Sequence, residues 1–285
     1  MPVVITADIT ADISQELQKE FDIHVLPLHV QIDETRGGLE GVDVTSEDVY
    51  RAYRDEGLYP KTAARSPGEY EAFFRQFTRQ GCEVVHVALC SKYSSSYQAA
   101  LIAAEAIGGV FVVDSRLMTT ASGMLCVQAA KLRDAGQQAE AIARQLETMR
   151  YRVKNYIYLD KLDVVAKSGR APVLLAMGAN LLNIHPCLIA DAESGSVRLG
   201  KKYRGKSAAA QRQWLENGLS AFLGAVDLSL IFLVRSYGVS DELYEEYRQT
   251  ALALPGLGRL ETGMVGCTML AHCGFNCMAL VGLER

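Results

Sequence analysis

Hydroxyl groups are the residues with the most chemistry to offer. Cys90-Ser91-Lys92-Tyr93-Ser94-Ser95-Ser96-Tyr97 follows an apolar, strand-like run and precedes a helix-forming one. In an open α/β sheet, ligands collect at that edge. A helix N-terminus there offers free N–H groups and partial positive charge to an anion. Plain helix capping accounts for a single serine, since a cap needs one side-chain oxygen. Lys61-Thr62-Ala63-Ala64-Arg65-Ser66-Pro67 carries another hydroxyl, Thr62, ahead of a helix start at Ser66-Pro67. Val112-Val113-Asp114-Ser115 is a further strand end, where Asp114 and Ser115 can cap the following helix. His272 sits in Leu270-Ala271-His272-Cys273-Gly274-Phe275-Asn276-Cys277, read as a cysteine-bearing turn between apolar segments.

Several chemistries are excluded by spacing. Cys267, His272, Cys273 and Cys277 are the natural zinc candidates, but structural zinc sites pair their ligands in two separated knuckles and these four crowd one stretch. No metal and no cofactor are expected. Residues 195–201 fit a phosphate-loop spacing, yet Lys202 follows where magnesium needs Ser or Thr, and the glycines flank a strand. No G-x-S-x-G elbow or H-E-x-x-H helix occurs. Asp8 and Asp12 make a carboxylate pair only loosely, and capping by Asp12 or Ser14 explains that region more cheaply. A net charge of −4 leaves no basic surplus for a phosphate backbone, so no nucleic-acid partner is expected. Seven cysteines without framework spacing read as buried, reduced thiols. The N-terminus lacks a basic leader and an apolar run, and a cytoplasmic protein is expected.

These residues must be held by a framework. With 285 residues, 49% hydrophobic and 22% charged, the chain is long enough for two folded domains, each with its own core. Strands are expected over 2–6, 23–32, 83–89 and 110–113. Helices are expected over 14–21, 45–54, from Pro67, over 95–107, and as two long segments to about Tyr151. Short apolar strands between helices predict a parallel sheet covered on both faces. From about residue 154 the pattern changes. A strand over 156–159, helices over 161–167 and 171–181, and a hairpin of 184–190 with 197–202 come first; helices over 207–223 and 241–254 and strands over 228–234, 258–262 and 277–281 follow. The fold class is α/β in two domains. Residues 1–153 form an N-terminal α/β/α domain with a parallel sheet, and residues 154–285 an α+β domain with a mixed sheet.

Taken in order, the loops resemble the DegV family. Asp8 with Thr10-Ala11-Asp12-Ile13 is similar to its opening T-D-S-T-A-D-L; Thr62 and Ser66-Pro67 fit T-T-S-x-P-S-P. Ser91 to Tyr97 fits S-x-L-S-G-T-Y with Ser94 on the central serine; Asp114-Ser115 and Ser122-Gly123 fit D-S and S-x-G. Lys167-Ser168-Gly169-Arg170, Leu182-Asn183-Ile184-His185-Pro186, and His272 with Gly274 resemble K-K-G-G-R, L-N-I-K-P and H-x-G-P-G. Ser95 and Ser96 replace Gly and Thr, and Phe275-Asn276 replaces Pro-Gly, departures that could narrow or redirect a tunnel.

What the resemblance implies is a DegV-like carrier of a long-chain fatty acid, not an enzyme. The acid lies in a tunnel between the domains with its carboxylate on Thr62, Ser94 and His272. Ser95, Ser96, Asp114, Ser115 and Arg170 stand behind that head group or in its loop. A separate ATP-dependent fatty acid kinase would phosphorylate the bound carboxylate to an acyl phosphate for phospholipid synthesis. Arg204 would dock the kinase, and contact with a membrane surface would be transient. Two other readings stay open on the residues alone: a hydrolase or transferase using Ser94 and His272 as nucleophile and base, and a lipid-free regulatory subunit of a kinase with a filled interior.

Overall fold

Apolar, β-branched runs set the longer strands, and amphipathic segments, some of them capped, set several of the helices. The computed structural model describes residues 1–170 and 183–285; the helix expected over 171–181, and Leu182, lie outside them. The strands are β1 (Val3–Asp8), β2 (Ile23–Leu26), β3 (His29–Gln31), β4 (Gly37–Leu39), β5 (Lys61–Ala63), β6 (Glu83–Ala88), β7 (Val110–Asp114), β8 (Val153–Tyr158), β9 (Ile184–Asp191), β10 (Ser196–Arg204), β11 (Val226–Arg235), β12 (Leu260–Met264) and β13 (Met278–Glu284). The described helices are α1 (Gln15–Glu20), α2 (Ser46–Glu56), α3 (Pro67–Thr78), α4 (Ser96–Ile107), α5 (Thr120–Asp134), α6 (Ala139–Met149), α7 (Asp163–Ser168), α8 (Ser207–Phe222), α9 (Asp241–Leu252) and α10 (Cys267–Cys273).

The first half builds a parallel sheet of order β2-β1-β6-β7, and the second a mixed sheet of order β10-β9-β8-β13-β11-β12 in which only β11 and β12 run parallel. This is the α/β class the pattern predicts. The hairpin β9–β10 and the starts of α2 and α3 also match. Thr45 with Asp48, and Ser66 with Glu69, close full capping boxes, and Pro67 occupies the first turn of α3.

Three expectations change. The single strand over 23–32 is two strands broken at Pro27, which has no N–H for a ladder: β2 joins the parallel sheet, whereas β3 joins a small antiparallel sheet of order β4-β3-β5. Gly37–Leu39 and Lys61–Ala63, neither expected as a strand, supply its other two strands. The His272 segment is no turn; six of its seven-residue helix α10 precede Cys273, and Gly274 at φ +87° ends it. Each half keeps a core cluster of its own, around Tyr70 and Phe74 in the first and Trp214 and Phe222 in the second, while other clusters join the halves. α5 is buried along most of its length, and one apolar cluster runs from Ile5, Val85 and Leu125 to Val153, Phe232 and Val281 in the mixed sheet. A helix that is apolar all round can be buried on both sides, and α5 does this. Among the described residues no helix is long and apolar enough to cross a membrane.

Candidate functional site

The Ser91–Ser96 loop is fixed by carboxylates at the ends of the neighbouring strands. Asp8, closing β1, accepts the Leu89 N–H at 2.7 Å and the Tyr70 hydroxyl at 2.5 Å. Asp114, closing β7, accepts the Ser91 N–H at 3.1 Å, the Ser91 hydroxyl at 2.7 Å and the Arg116 N–H at 3.0 Å. Each acid holds a turn whose backbone donors would otherwise be unpaired. Asp8 is therefore a buried structural anchor and not half of a pair with Asp12. Ser115, fully buried, accepts the Leu117 N–H at 3.2 Å and donates to Leu117 O at 3.1 Å, with Ser122 at 3.2 Å from its hydroxyl. Asp114 and Ser115 thus shape the loop from behind and are not among the residues lining the cavity that Ser94 faces.

Ser94 stands at the tip of this scaffold. Its hydroxyl accepts the Ser96 N–H at 3.2 Å and lies 2.9 Å from the Ser96 hydroxyl. Ser96 is buried and braces Ser94, while Ser95, at the cap position of α4, makes no capping bond with its side chain. Across from this loop, Thr62 sits in the middle of β5, paired with Val30 of β3. Its hydroxyl is 2.8 Å from His272 Nε2, a contact between residues 210 positions apart. Burial, followed by the charge of Arg170, pushes the imidazole down to about 4, so the ring is neutral at physiological pH. Its Nδ1 is buried and has no partner among the described residues.

Thr62, Ser94, Ser95, Arg170 and His272 all line one cavity of about 410 Å³, whose walls are otherwise mainly apolar: Leu28, Leu89, Met118, Ile157, Leu188 and Val197 among them. Thr62 and Ala63 of the small antiparallel sheet and Ile157, Leu188 and Val197 of the mixed sheet contribute. The volume falls within the range of small-molecule sites, about 300–1,000 Å³. Tyr93, Thr268, Met269 and Cys273 line the same cavity and were missed by sequence reasoning. The last three belong to α10, the helix that the local pattern did not disclose. Arg204 ends β10 with an exposed side chain and is outside the cavity lining.

The arrangement bears on the open alternatives. The Ser94 hydroxyl is engaged with Ser96 and His272 Nε2 with Thr62, so the serine–imidazole bond that activates a nucleophile is not formed. Among the described residues no large side chain fills this cavity. Phe275 does not intrude on it. Its ring stacks on Tyr53 at 4.3 Å between centroids and packs by Tyr50, and Asn276 takes the left-handed turn at φ +56°. The residues weighed for a zinc site have other partners. Cys267 Sγ is 3.4 Å from Val44 O and Cys277 Sγ 3.3 Å from Cys273 O, while His272 turns to Thr62. Among the described residues no group of three or more His, Cys, Asp or Glu side chains is placed to hold a metal ion. Two of the seven thiols, Cys82 and Cys273, are half-buried rather than buried.

Comparison with known proteins agrees with this architecture. The model of the DegV family, described as an uncharacterised protein family, matches residues 2–285. A DegV domain-containing protein of Caldanaerobacter subterraneus is 27% identical over 278 residues, 95% of each chain. Among solved structures, a DegV family protein from Thermus thermophilus, described for its fatty acid binding, superposes with a TM-score of 0.86 at 24% identity over the whole of both chains. A stearic-acid-binding protein from Eubacterium ventriosum superposes with a TM-score of 0.82 at 23% identity, over 98% of this chain and 97% of its own.

Proposed function

Because the chain belongs to the DegV family, we propose that it is a carrier which buries a long-chain fatty acid between an N-terminal domain, residues 1–153, and a C-terminal domain, residues 154–285. The observation that carries this reading is the apolar cavity that Thr62, Ser94 and His272 share. Each buried methylene contributes about 0.8 kcal/mol, so an acyl chain of some fourteen methylenes gains about 11 kcal/mol. That offsets the several kcal/mol needed to desolvate a carboxylate, provided hydrogen bonds replace its water. The Ser94 hydroxyl is one donor. His272 is the other in the tautomer that accepts the Thr62 hydroxyl at Nε2, which puts the proton on Nδ1, the nitrogen without a partner among the described residues. Arg170, in the same lining, adds a positive charge near the ligand's anionic end.

A head group met by a hydroxyl and a neutral imidazole keeps a carboxylate oxygen free, which a bidentate arginine clamp would not. In this reading a separate ATP-dependent kinase phosphorylates that oxygen and the chain carries the acyl phosphate onward, with Arg204 on the docking face. The chain contributes no phosphoryl-transfer machinery of its own. The test is mass spectrometry of the organic extract after denaturing protein purified from a bacterial host. About one equivalent of fatty acid is expected. A clean extract, with no stabilisation by added palmitate or oleate, overturns the proposal.

A further inference from the structure

A second set of polar groups, remote in sequence, converges on the start of α10. Asp12 Oδ1 accepts the Gly266 N–H at 2.8 Å. Glu40 Oε2 accepts the Thr268 hydroxyl at 2.5 Å and its N–H at 3.3 Å. The remaining oxygens, Asp12 Oδ2 and Glu40 Oε1, are buried and unpartnered among the described residues, and Glu40 is only 2% exposed. A Cβ on Gly266 would collide with Glu40 Oε1 and come within 3.2 Å of Asp12 Oδ1, so the two carboxyl groups meet around that glycine. Both also face a cavity of about 280 Å³. Two buried carboxyl groups that approach the same glycine repel each other when both are ionised, whereas a single proton shared by the pair removes one charge and adds a donor.

We infer that Asp12 and Glu40 share one proton, that the pair positions the helix bearing His272, and that ligand retention weakens when the proton is lost. The inference rests on the carrier reading for its ligand. Its geometry is independent of it: the pair ties residues 12 and 40 to residues 266 and 268, and Thr268, Met269, His272 and Cys273 of that helix line the larger cavity. Burial, then Glu40, pushes Asp12 up to about 8, and burial also raises Glu40. The other groups that face the pair do not confuse a measurement between pH 7 and pH 9. Glu261 of β12 is held by Arg259, and the Cys267 and Cys273 thiols are pushed up to about 12 by burial. Asp12 also sits at φ +48°, a left-handed conformation that asparagine tolerates as well as aspartate, so Asp12→Asn mimics the protonated acid without backbone strain.

The experiment measures release of radiolabelled palmitate from the full-length protein at pH 7 and pH 9. It is paired with hydrogen–deuterium exchange of residues 266–273 in unliganded protein. Wild type is expected to release about tenfold faster at pH 9, the effect of one pK unit of coupling. At pH 9 its 266–273 amides should exchange faster than those of Asp12→Asn. Asp12→Asn should release at the same rate at both pH values, and Glu40→Gln should do likewise, serving also if the first variant folds poorly. Equal wild-type rates within twofold, or a variant that keeps the wild-type pH dependence, overturns the inference. If wild type binds no palmitate even at pH 7, the carrier reading is what fails; the exchange comparison then decides the proton-sharing pair alone.

Discussion

Thr62→Val is the substitution that probes the head-group geometry most cleanly. Valine has nearly the shape of threonine and suits a strand, so β5 and its pairing to Val30 are kept. What disappears is the hydroxyl 2.8 Å from His272 Nε2. Because Nδ1 has no partner among the described residues, the ring loses the one side-chain bond it makes to them, and with it the group proposed to fix its tautomer. Leaving a buried polar atom unsatisfied costs about 1–3 kcal/mol of stability. A hydrogen bond to a charged group is worth about 1.5–3 kcal/mol, so if the tautomer is what aims Nδ1–H at the carboxylate, palmitate affinity falls roughly ten- to hundredfold. The assay is fluorescent fatty-acid displacement on delipidated protein, with urea unfolding of the unliganded form as the stability control. Affinity within twofold of wild type, alongside the expected stability loss, would refute the role given to the Thr62–His272 contact.

Three further outcomes follow from single features. The His272 ring titrates near 4 when folded against about 6.5 unfolded, so its contribution is complete above pH 6.5 and is lost as pH falls toward 4, at most about 3 kcal/mol; His272→Gln should flatten that part of the acid limb in urea titrations, and an unchanged limb contradicts the burial argument. In Gly123→Ala, the new Cβ would meet Ala11 O at 2.6 Å, and the backbone clash should outweigh the roughly 1 kcal/mol gained in helix propensity, lowering the urea midpoint; a raised midpoint would show that the turn before Asp12 gives way. Arg204→Glu should slow phosphorylation of the bound acid by a partner kinase while leaving palmitate affinity unchanged, because Arg204 is outside the cavity lining; an unaffected rate removes it from the docking face.

The alternation of strands and helices was legible because the longer elements show their period, and α2 and α3 start at the capping boxes Thr45–Asp48 and Ser66–Glu69. The Ser94 loop was legible for a related reason: its hydroxyls exceed what capping needs. α10 was not, since seven residues give too little periodicity to separate a helix from an apolar turn. Asp12 was read as a cap because a nearby helix start is the only partner local spacing offers. In the fold Ser14 caps α1, accepting the Leu17 N–H at 3.2 Å, and Asp12 reaches Gly266, 254 positions away. Glu40 drew no attention in its glycine-rich stretch, and its partner Thr268 is 228 positions distant. Contacts at such separations are set by how the sheets pack, and no window of sequence contains them.

A crystal structure of the protein grown with oleate tests the head-group assignment most directly. The account predicts continuous acyl density in the cavity walled by Leu28, Ile157 and Leu188, with a carboxylate oxygen within about 3.2 Å of Ser94 Oγ and of His272 Nδ1. An acid bound with its carboxylate remote from both residues, or a cavity holding only water at saturating oleate, contradicts it.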